Sequence, residues 1–261
     1  MKIPLSIVVI AKNEEKRIKE CMESVCGWSD EIIVVDDNST DNTIKIAREY
    51  TDKIFSRKMD LEGKQRNFGV AKAKNDWVMM LDCDERPTEE LKKEIETVLA
   101  KEKGECAAYW VPQINYLGEV QLSYGGWANP HVRLYNKNYV KWSEAAYDVV
   151  HPGIHIAPGC KGGNLKEALI HYNFANIEDF ISKVNRQSTL EAVKWHLDGR
   201  KMTLGKALWR TIDRFFRRYI GKKGYKDGYY GFIAAVLSGF YQLAAYSKYL
   251  EIKERGIYLN S

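Results

Sequence analysis

Through its first 115 residues the sequence keeps changing period. Leu5–Ala11 is a near-continuous apolar run of strand length, Glu31–Asp36 a second, Lys53–Ser56 a weak third and Trp77–Asp82 a fourth; Ala107–Asn115 reads as a fifth. Strands that are apolar on both sides are expected where helices cover both faces of a parallel sheet. Helical patterns lie between the runs, over Glu14–Cys26, Thr43–Tyr50, Lys64–Ala73 and Pro87–Ala100. The last has a proline near its start and acids in its first turn, as helix N-termini prefer. Alternation of this kind predicts βαβ units and an open α/β sheet with helices on both faces.

The texture then changes twice. Over 116–175, glycine, proline, tyrosine, tryptophan and histidine crowd together, and irregular strands and loops are expected. Over 176–261 the chain is helical and basic. That last segment carries a net charge of +8, and the 175 residues before it carry −3. The whole-chain surplus of +5 does not suit a general nucleic-acid binder. The five cysteines are scattered, without CxxC or zinc-type spacing, and read as reduced cytosolic thiols. The N-terminus reads as a first strand rather than a signal peptide, since Asn13, Glu14 and Glu15 follow the apolar run at once. Gly228–Leu250 comes nearest to a membrane span, but Gln242, Ser247 and Lys248 interrupt it, so it reads as an interfacial or packed helix.

In open parallel sheets, ligands bind beyond the carboxyl ends of the strands. Three such ends carry polar clusters here: Ala11-Lys12-Asn13-Glu14, Asp36 to Asp41, and Asp82-Cys83-Asp84-Glu85. Ser39, Thr40 and Asp41 also suit the cap of a following helix. In extended backbone Asp82 and Asp84 point to one side, where two carboxylates can hold Mg²⁺ or Mn²⁺ and leave sites for phosphate oxygens. A solvated turn with cap residues is the plain alternative. Lys64 and Arg66, ahead of the same strand, offer cations for a phosphate, or simply a solvated basic helix face.

Taken together, Leu5–Glu14, Val34–Asp41, Lys64–Gly69 and Trp77–Glu85 resemble glycosyltransferase family 2, inverting enzymes of the GT-A fold. Gly125-Gly126-Trp127, Arg133-Leu134-Tyr135, Val150-His151, His171-Tyr172 and Asn185–Thr189, with the basic end, resemble the branch of bacterial lipopolysaccharide inner-core glucosyltransferases. The resemblance implies a nucleotide-sugar half over 1–115 and an acceptor segment over 116–175, followed by the helical basic tail over 176–261, which reads as a membrane-surface element by its charge pattern. It implies that Ala11, Asn13 and Glu14 contact the nucleoside. Asp37, with Asp36, would read the uracil edge or ribose. Asp82 and Asp84 would bind metal and diphosphate, with Arg66 beside the diphosphate. The donor implied is UDP-glucose and the acceptor a glycolipid. The branch places Glu after the His of its "VHE" motif; here Pro152 follows His151.

Inverting transfer needs a carboxylate to take the acceptor proton. Glu119, Glu144 and Asp148 are the candidates in the second segment; Glu144 is preferred and Asp148 is the runner-up. Trp127 and Trp142 suit sugar stacking or a core equally. His151 and His155, four apart around Pro152 and Gly153, do not share a helix face. In the tail, Leu204, Leu208, Ile212, Phe215 and Tyr219 recur at spacings of three or four, with Phe216 in the aromatic face. Lys206, Arg210, Arg217 and Arg218 lie on other faces. A basic amphipathic helix of this kind predicts attachment to an anionic membrane surface, at the inner face of the plasma membrane for a cytosolic protein. Two rival activities fit the sheet alone: a sugar-phosphate nucleotidyltransferase, which would want a Gly-rich loop after strand one, and a non-catalytic nucleotide-sugar-binding module.

Overall fold

The computed structural model describes residues 2–101, 106–145 and 152–256. The chain divides into two compact units. The first comprises Met1–Gln113, Asn129–Glu144 and Pro152–His171; the second comprises Ile114–Ala128, Ala145–His151 and Tyr172–Ser261.

The first unit is built on four parallel strands: β1 (Ile3–Ala11), β2 (Ser29–Asp36), β3 (Ile54–Ser56) and β4 (Trp77–Asp82). Three later strands widen the sheet: β6 (Ala108–Val111), β9 (His131–Asn136) and β12 (Gly162–Asn164). The order is β12-β6-β9-β4-β1-β2-β3, with β9 antiparallel to both of its neighbours. Because side chains alternate along a strand, β1 feeds two cores. Leu5, Ile7 and Val9 pack with Ile18 and Met22 of α1 (Ile18–Val25) and with Leu91 and Ile95 of α4 (Glu89–Leu99). Val8 packs on the other face with Ile33, Val35 and Val70, the last from α3 (Glu62–Ala71). Gly69 lets α3 settle onto the sheet, since a Cβ there would lie 2.6 Å from Val8 and 2.8 Å from Val35. The expected α/β sheet with helices on both faces is therefore present.

Two of the differences from the expected boundaries fall at prolines. Pro87 closes the short strand β5 (Glu85–Pro87) instead of opening a helix, and the Thr88 side chain caps α4 by accepting the Leu91 N–H. The fifth run breaks at Pro112, which has no N–H for a ladder, into β6 and β7 (Gln113–Leu117). β10 (Val140–Trp142) pairs antiparallel with β11 (Ile154–Ile156). The first three residues of β13 (Leu169–Phe174) pair with β5, setting His171 opposite Glu85. Helix α2 (Thr43–Ala47) is a short turn after the second strand.

In the second unit β7 turns into β8 (Val120–Leu122) through Gly118, at φ +60. Three helices follow: α5 (Ile177–Leu197), α6 (Leu204–Phe216) and α7 (Gly228–Arg255). A π turn over Arg217–Gly221 and a 3₁₀ turn over Gly224–Asp227 join the last two. Trp195, Ala207, Ala245 and Tyr249 form one core between the helices. Trp127 belongs to a second, packing edge-on against Phe174 and Phe180. Among the described residues no helix is long and apolar enough to cross a membrane.

Candidate active site

The polar strand ends converge in the first unit. Asn13 and Asn38 take left-handed backbone, at φ 53 and 52, which asparagine tolerates better than most residues. The turn after β1 and the segment after β2 are then laced together. The N–H groups of Asn13, Glu14 and Glu15 donate to Ser39 Oγ (2.8 Å), Thr43 Oγ1 (2.7 Å) and Asp41 Oδ2 (3.1 Å). The Asn13 side chain accepts the Thr40 N–H in return, at 2.8 Å. Ser39 thus caps a neighbouring turn, while Asp41 also accepts the Thr43 N–H at the start of α2.

The two adjacent aspartates differ in what holds them. Both oxygens of Asp36 accept the Ser39 N–H, at 3.2 and 3.1 Å, so this carboxylate shapes its own turn. Asp37 accepts the Met59 N–H at 2.8 Å through one oxygen and pairs with Lys12 at 2.9 Å through the other. Asp37 is buried, but Lys12 is 60% exposed, so that ion pair is open to exchange. Ala11 lies buried at the strand end and its carbonyl accepts the Asp37 N–H.

The end of β4 is the electrostatic centre. Asp82 is extended, whereas Cys83 and Asp84 form a turn, so the expected alternation along a strand stops at Asp82. Arg133, from β9, donates to Asp82 Oδ2 at 2.7 Å and to Glu85 Oε1 at 2.5 Å. Glu85 is fully buried and is held further by Gln113. Arg66 donates to Glu62 Oε1 through Nε and Nη2 and lies 3.4 Å from Asp82 Oδ1. Its guanidinium stacks 4.8 Å from the Trp142 ring centre, and its Nη1 is buried with no hydrogen-bond partner among the described residues. Burial pushes the Asp82 carboxyl up, but Arg133 and Arg66 outweigh it and hold it below its ordinary value. Burial raises Glu85 above its ordinary value in spite of Arg133.

Asp84 faces His171, whose Nε2 is 3.5 Å from Asp84 Oδ1; Arg17 lies 4.0 Å from the other oxygen. Burial disfavours the His171 imidazolium, yet the hydrogen bond and charge of Asp84 prevail and raise its pKa. His171 Nδ1 is buried and, among the described residues, has no partner.

Glu144 is exposed and accepts a 2.8 Å hydrogen bond from the Asn67 side chain. Asn67 sits beside Arg66 on α3 and also clasps the Trp142 backbone at both N–H and C=O. Asp148 and His151 lie outside the described residues. Trp142 is buried, with its indole N–H on the Tyr135 hydroxyl. Trp127 is a core ring of the second unit, Lys64 is tied to Asp60 on the surface, and Glu119 and His155 are exposed. Sequence reasoning gave no role to Arg133, Glu85 or His171. The available signal was that Arg133 and His171 each fall within a segment that resembles the inner-core branch, Arg133-Leu134-Tyr135 and His171-Tyr172.

The sequence model of Glycosyl transferase family 2 matches residues 6–172, more than half the chain and every residue of this cluster. The chain belongs to glycosyl transferase family 2. Family relatives run nearly its full length. An uncharacterised glycosyltransferase of Rickettsia typhi is 28% identical over 97% of this chain and 89% of its own. The lipopolysaccharide core biosynthesis glycosyltransferase LpsC of Rhizobium meliloti is 27% identical over 95% and 92%. In fold this family 2 enzyme is similar to the glucosyl-3-phosphoglycerate synthase of Mycobacterium tuberculosis crystallised with phosphoglyceric acid. That likeness has a TM-score of 0.50 at 16% identity and covers 76% of this chain and 81% of that one. The GT-A arrangement expected from the sequence is the one observed.

Proposed function

We propose that this family 2 enzyme moves a hexose from a uridine diphosphate donor onto a membrane glycolipid of the lipopolysaccharide-core type, inverting the anomeric centre. The observation that carries the donor half is Arg66: a buried guanidinium with one amino group unsatisfied, fixed by Glu62 and Trp142 beside Asp82. An unsatisfied buried donor is costly, and a diphosphate oxygen would satisfy it with a charge-assisted bond. Asp37 would accept the uracil N3–H in place of Lys12. UDP-glucose is the donor that the inner-core resemblance implies, and the similarity to LpsC, a lipopolysaccharide core biosynthesis glycosyltransferase, supports the acceptor class.

In the transfer, the acceptor hydroxyl attacks the anomeric carbon, the bond to the diphosphate oxygen breaks, and that oxygen leaves with the electron pair. The hydroxyl proton passes to Glu144 or, in its place, Asp148. Arg66 stabilises the leaving diphosphate, and Glu62, Trp142 and Asp82 keep Arg66 oriented.

A divalent ion would neutralise the diphosphate. No cluster of three metal-ligating side chains exists among the described residues, so the protein would supply few ligands and the diphosphate the rest. The donors present fit that arrangement: an Asp84 oxygen and the His171 imidazole 3.5 Å apart, with Asp82 adjoining. The imidazole tilts the preference from Mg²⁺ toward Mn²⁺. The deciding experiment is a panel of UDP- and GDP-sugars scored for hydrolysis with each metal. Turnover of one UDP-hexose, lost in chelator and cut at least tenfold in Asp84→Ala, is the expected result. Binding of a sugar nucleotide without any turnover would favour the non-catalytic module.

A further inference from the structure

The second unit presents an apolar face that its own core leaves open. On α6, Leu204, Leu208, Ile212 and Phe216 are spaced by four and all exposed, and Trp209 beside them is 68% exposed. On α7, Tyr229, Phe232, Val236 and Phe240 repeat at three and four, again exposed, with Tyr229 at 69%. The two rows are continuous. The Phe215 ring meets Phe216 at 5.3 Å and Phe232 of α7 at 5.9 Å. Gly239 lets the helices close, since a Cβ there would lie 2.9 Å from the Thr211 carbonyl.

This face differs from the one the sequence spacing suggests. Phe215 and Tyr219 are half-buried against Phe232, while Trp209 and Phe216 stand outward. Neighbouring rings are the reason: Phe215 and Tyr219 stack on each other and both meet Phe232 of α7, while the row at spacings of four continues outward to Ile220, itself exposed. Two arginines are likewise withdrawn. Arg214 stacks 5.2 Å from the Tyr241 ring centre and Arg218 4.3 Å from that of Trp127. Burial presses the Arg218 guanidinium down to about 10, so it is a packing element that is still charged at neutral pH.

Exposed cations do flank the apolar rows. Lys201 and Lys206 stand at the start of α6, and Lys222, Lys223 and Lys226 in the turns between α6 and α7. From Arg200 to Lys226 there are ten lysines and arginines and one acid, Asp213. Asp213 is itself paired with Arg217.

We infer that the paired α6–α7 face is a membrane-docking surface that lies in the headgroup region of an anionic leaflet, the apolar rows entering the acyl boundary and the flanking lysines meeting the anionic headgroups. Two features select a bilayer over a protein partner. Over Arg200–Asp227 ten lysines and arginines face two acids, Asp213 and Asp227, and the first of these is taken up by Arg217, so the net charge complements a uniformly anionic plane. The most exposed rings are a tryptophan and a tyrosine, the side chains that settle at membrane interfaces. Neither helix can cross, so the element lies on the surface. The inference rests on reading the acceptor as a membrane glycolipid, but its test does not use transfer.

The test is co-sedimentation of the full chain with phosphatidylcholine vesicles, with and without phosphatidylglycerol, over a salt series. The wild-type protein should bind the anionic vesicles at low salt and keep a weaker, salt-resistant association. The triple variant Lys201→Glu, Lys223→Glu, Lys226→Glu should bind anionic vesicles at least tenfold more weakly. The triple variant Trp209→Ser, Ile212→Ser, Phe216→Ser should lose the salt-resistant part, with an unchanged melting temperature and unchanged UDP binding. Vesicle binding by a protein that turns over no sugar nucleotide would sustain the docking surface and sink the transferase reading. Indifference of the wild-type protein to anionic vesicles at low salt would overturn the proposal. So would a wild-type dimer that the serine variant converts to monomer without any effect on lipid, because the face would then join two copies of this chain.

Discussion

Charge is handled in opposite ways by the two units. In the first, the ionic groups that matter are drawn inside and tied down: Arg133, Arg66 and Glu85 are buried, and with Asp82 they form one network at the end of a strand. In the second, most cations lie outside, beside an apolar face that the described residues leave uncovered. A buried network fixes geometry, because each member is costly to leave alone. An exposed array fixes no geometry and instead sets which surfaces attract the protein, over about 8 Å at physiological ionic strength. The first arrangement suits a small charged ligand held in one pose, and the second a broad, laterally mobile partner.

The sharpest test of the contrast uses the first unit's exception, an exposed acid held by one hydrogen bond. Glu144→Gln keeps its size and its link to Asn67 while losing the proton acceptor. Turnover should fall by about 10²–10⁴-fold with donor binding retained and folding stability unchanged. If Glu144→Gln turns over at the wild-type rate and Asp148→Asn does not, the base is Asp148. Next in size, Arg133→Met strands the fully buried Glu85 carboxylate without its cation. Urea unfolding should show a loss of about 3–5 kcal/mol. A loss under 1 kcal/mol would mean that the network does not organise the unit. In contrast, Arg217→Gln, on the exposed side of the π turn, should cost about 0.3–0.5 kcal/mol, the worth of its surface pair with Asp213. Intermediate is Asp37→Ala, which should weaken UDP binding by about 1.5–3 kcal/mol in calorimetry. Asp36→Ala should act on the stability of the turn instead, since both of its oxygens serve Ser39. Equal UDP affinities in Asp37→Ala and wild type would remove the uracil contact.

What the sequence made legible follows the range of the interactions. The strands that aim the cluster were readable because β1, β2 and β4 are continuous apolar runs, and the acids stand directly at their ends. The partners of those acids were not readable. Arg133 reaches Asp82 and Glu85 across β9, and His171 reaches Asp84 through the β5–β13 register, and no local spacing encodes such pairings. Asp36 and Asp37 are alike in sequence and differ in what the folded turns bring to them, the Ser39 N–H to the first and the Met59 N–H with the Lys12 ammonium to the second. In the tail the helical period was legible, but not which apolar residues are covered: Phe215 and Tyr219 pack against Phe232 of α7, a contact that spacing along α6 cannot anticipate.

The smallest expected effects concern two glycines, one on each helix of the docking face, and they ask whether that face is as open as its exposures indicate. A Cβ on Gly205 of α6 would meet no atom within 4 Å, whereas one on Gly239 of α7 would strike the Thr211 carbonyl. Alanine costs less backbone entropy than glycine on folding and suits a helix interior better. Gly205→Ala should therefore stabilise the protein by about 0.5–1 kcal/mol in urea unfolding. Gly239→Ala carries the same helix gain but must push the helices apart, and overpacking of this kind costs about 1–3 kcal/mol. The pair separates the closed side of α6 from its open side with the same one-carbon change. A stabilised Gly205→Ala that still binds anionic vesicles like wild type would mean that α6 meets lipid through its large side chains and not through close backbone approach. A destabilised Gly205→Ala would mean that something in solution already covers that face, and a second copy of the chain would be the first candidate to test by sedimentation.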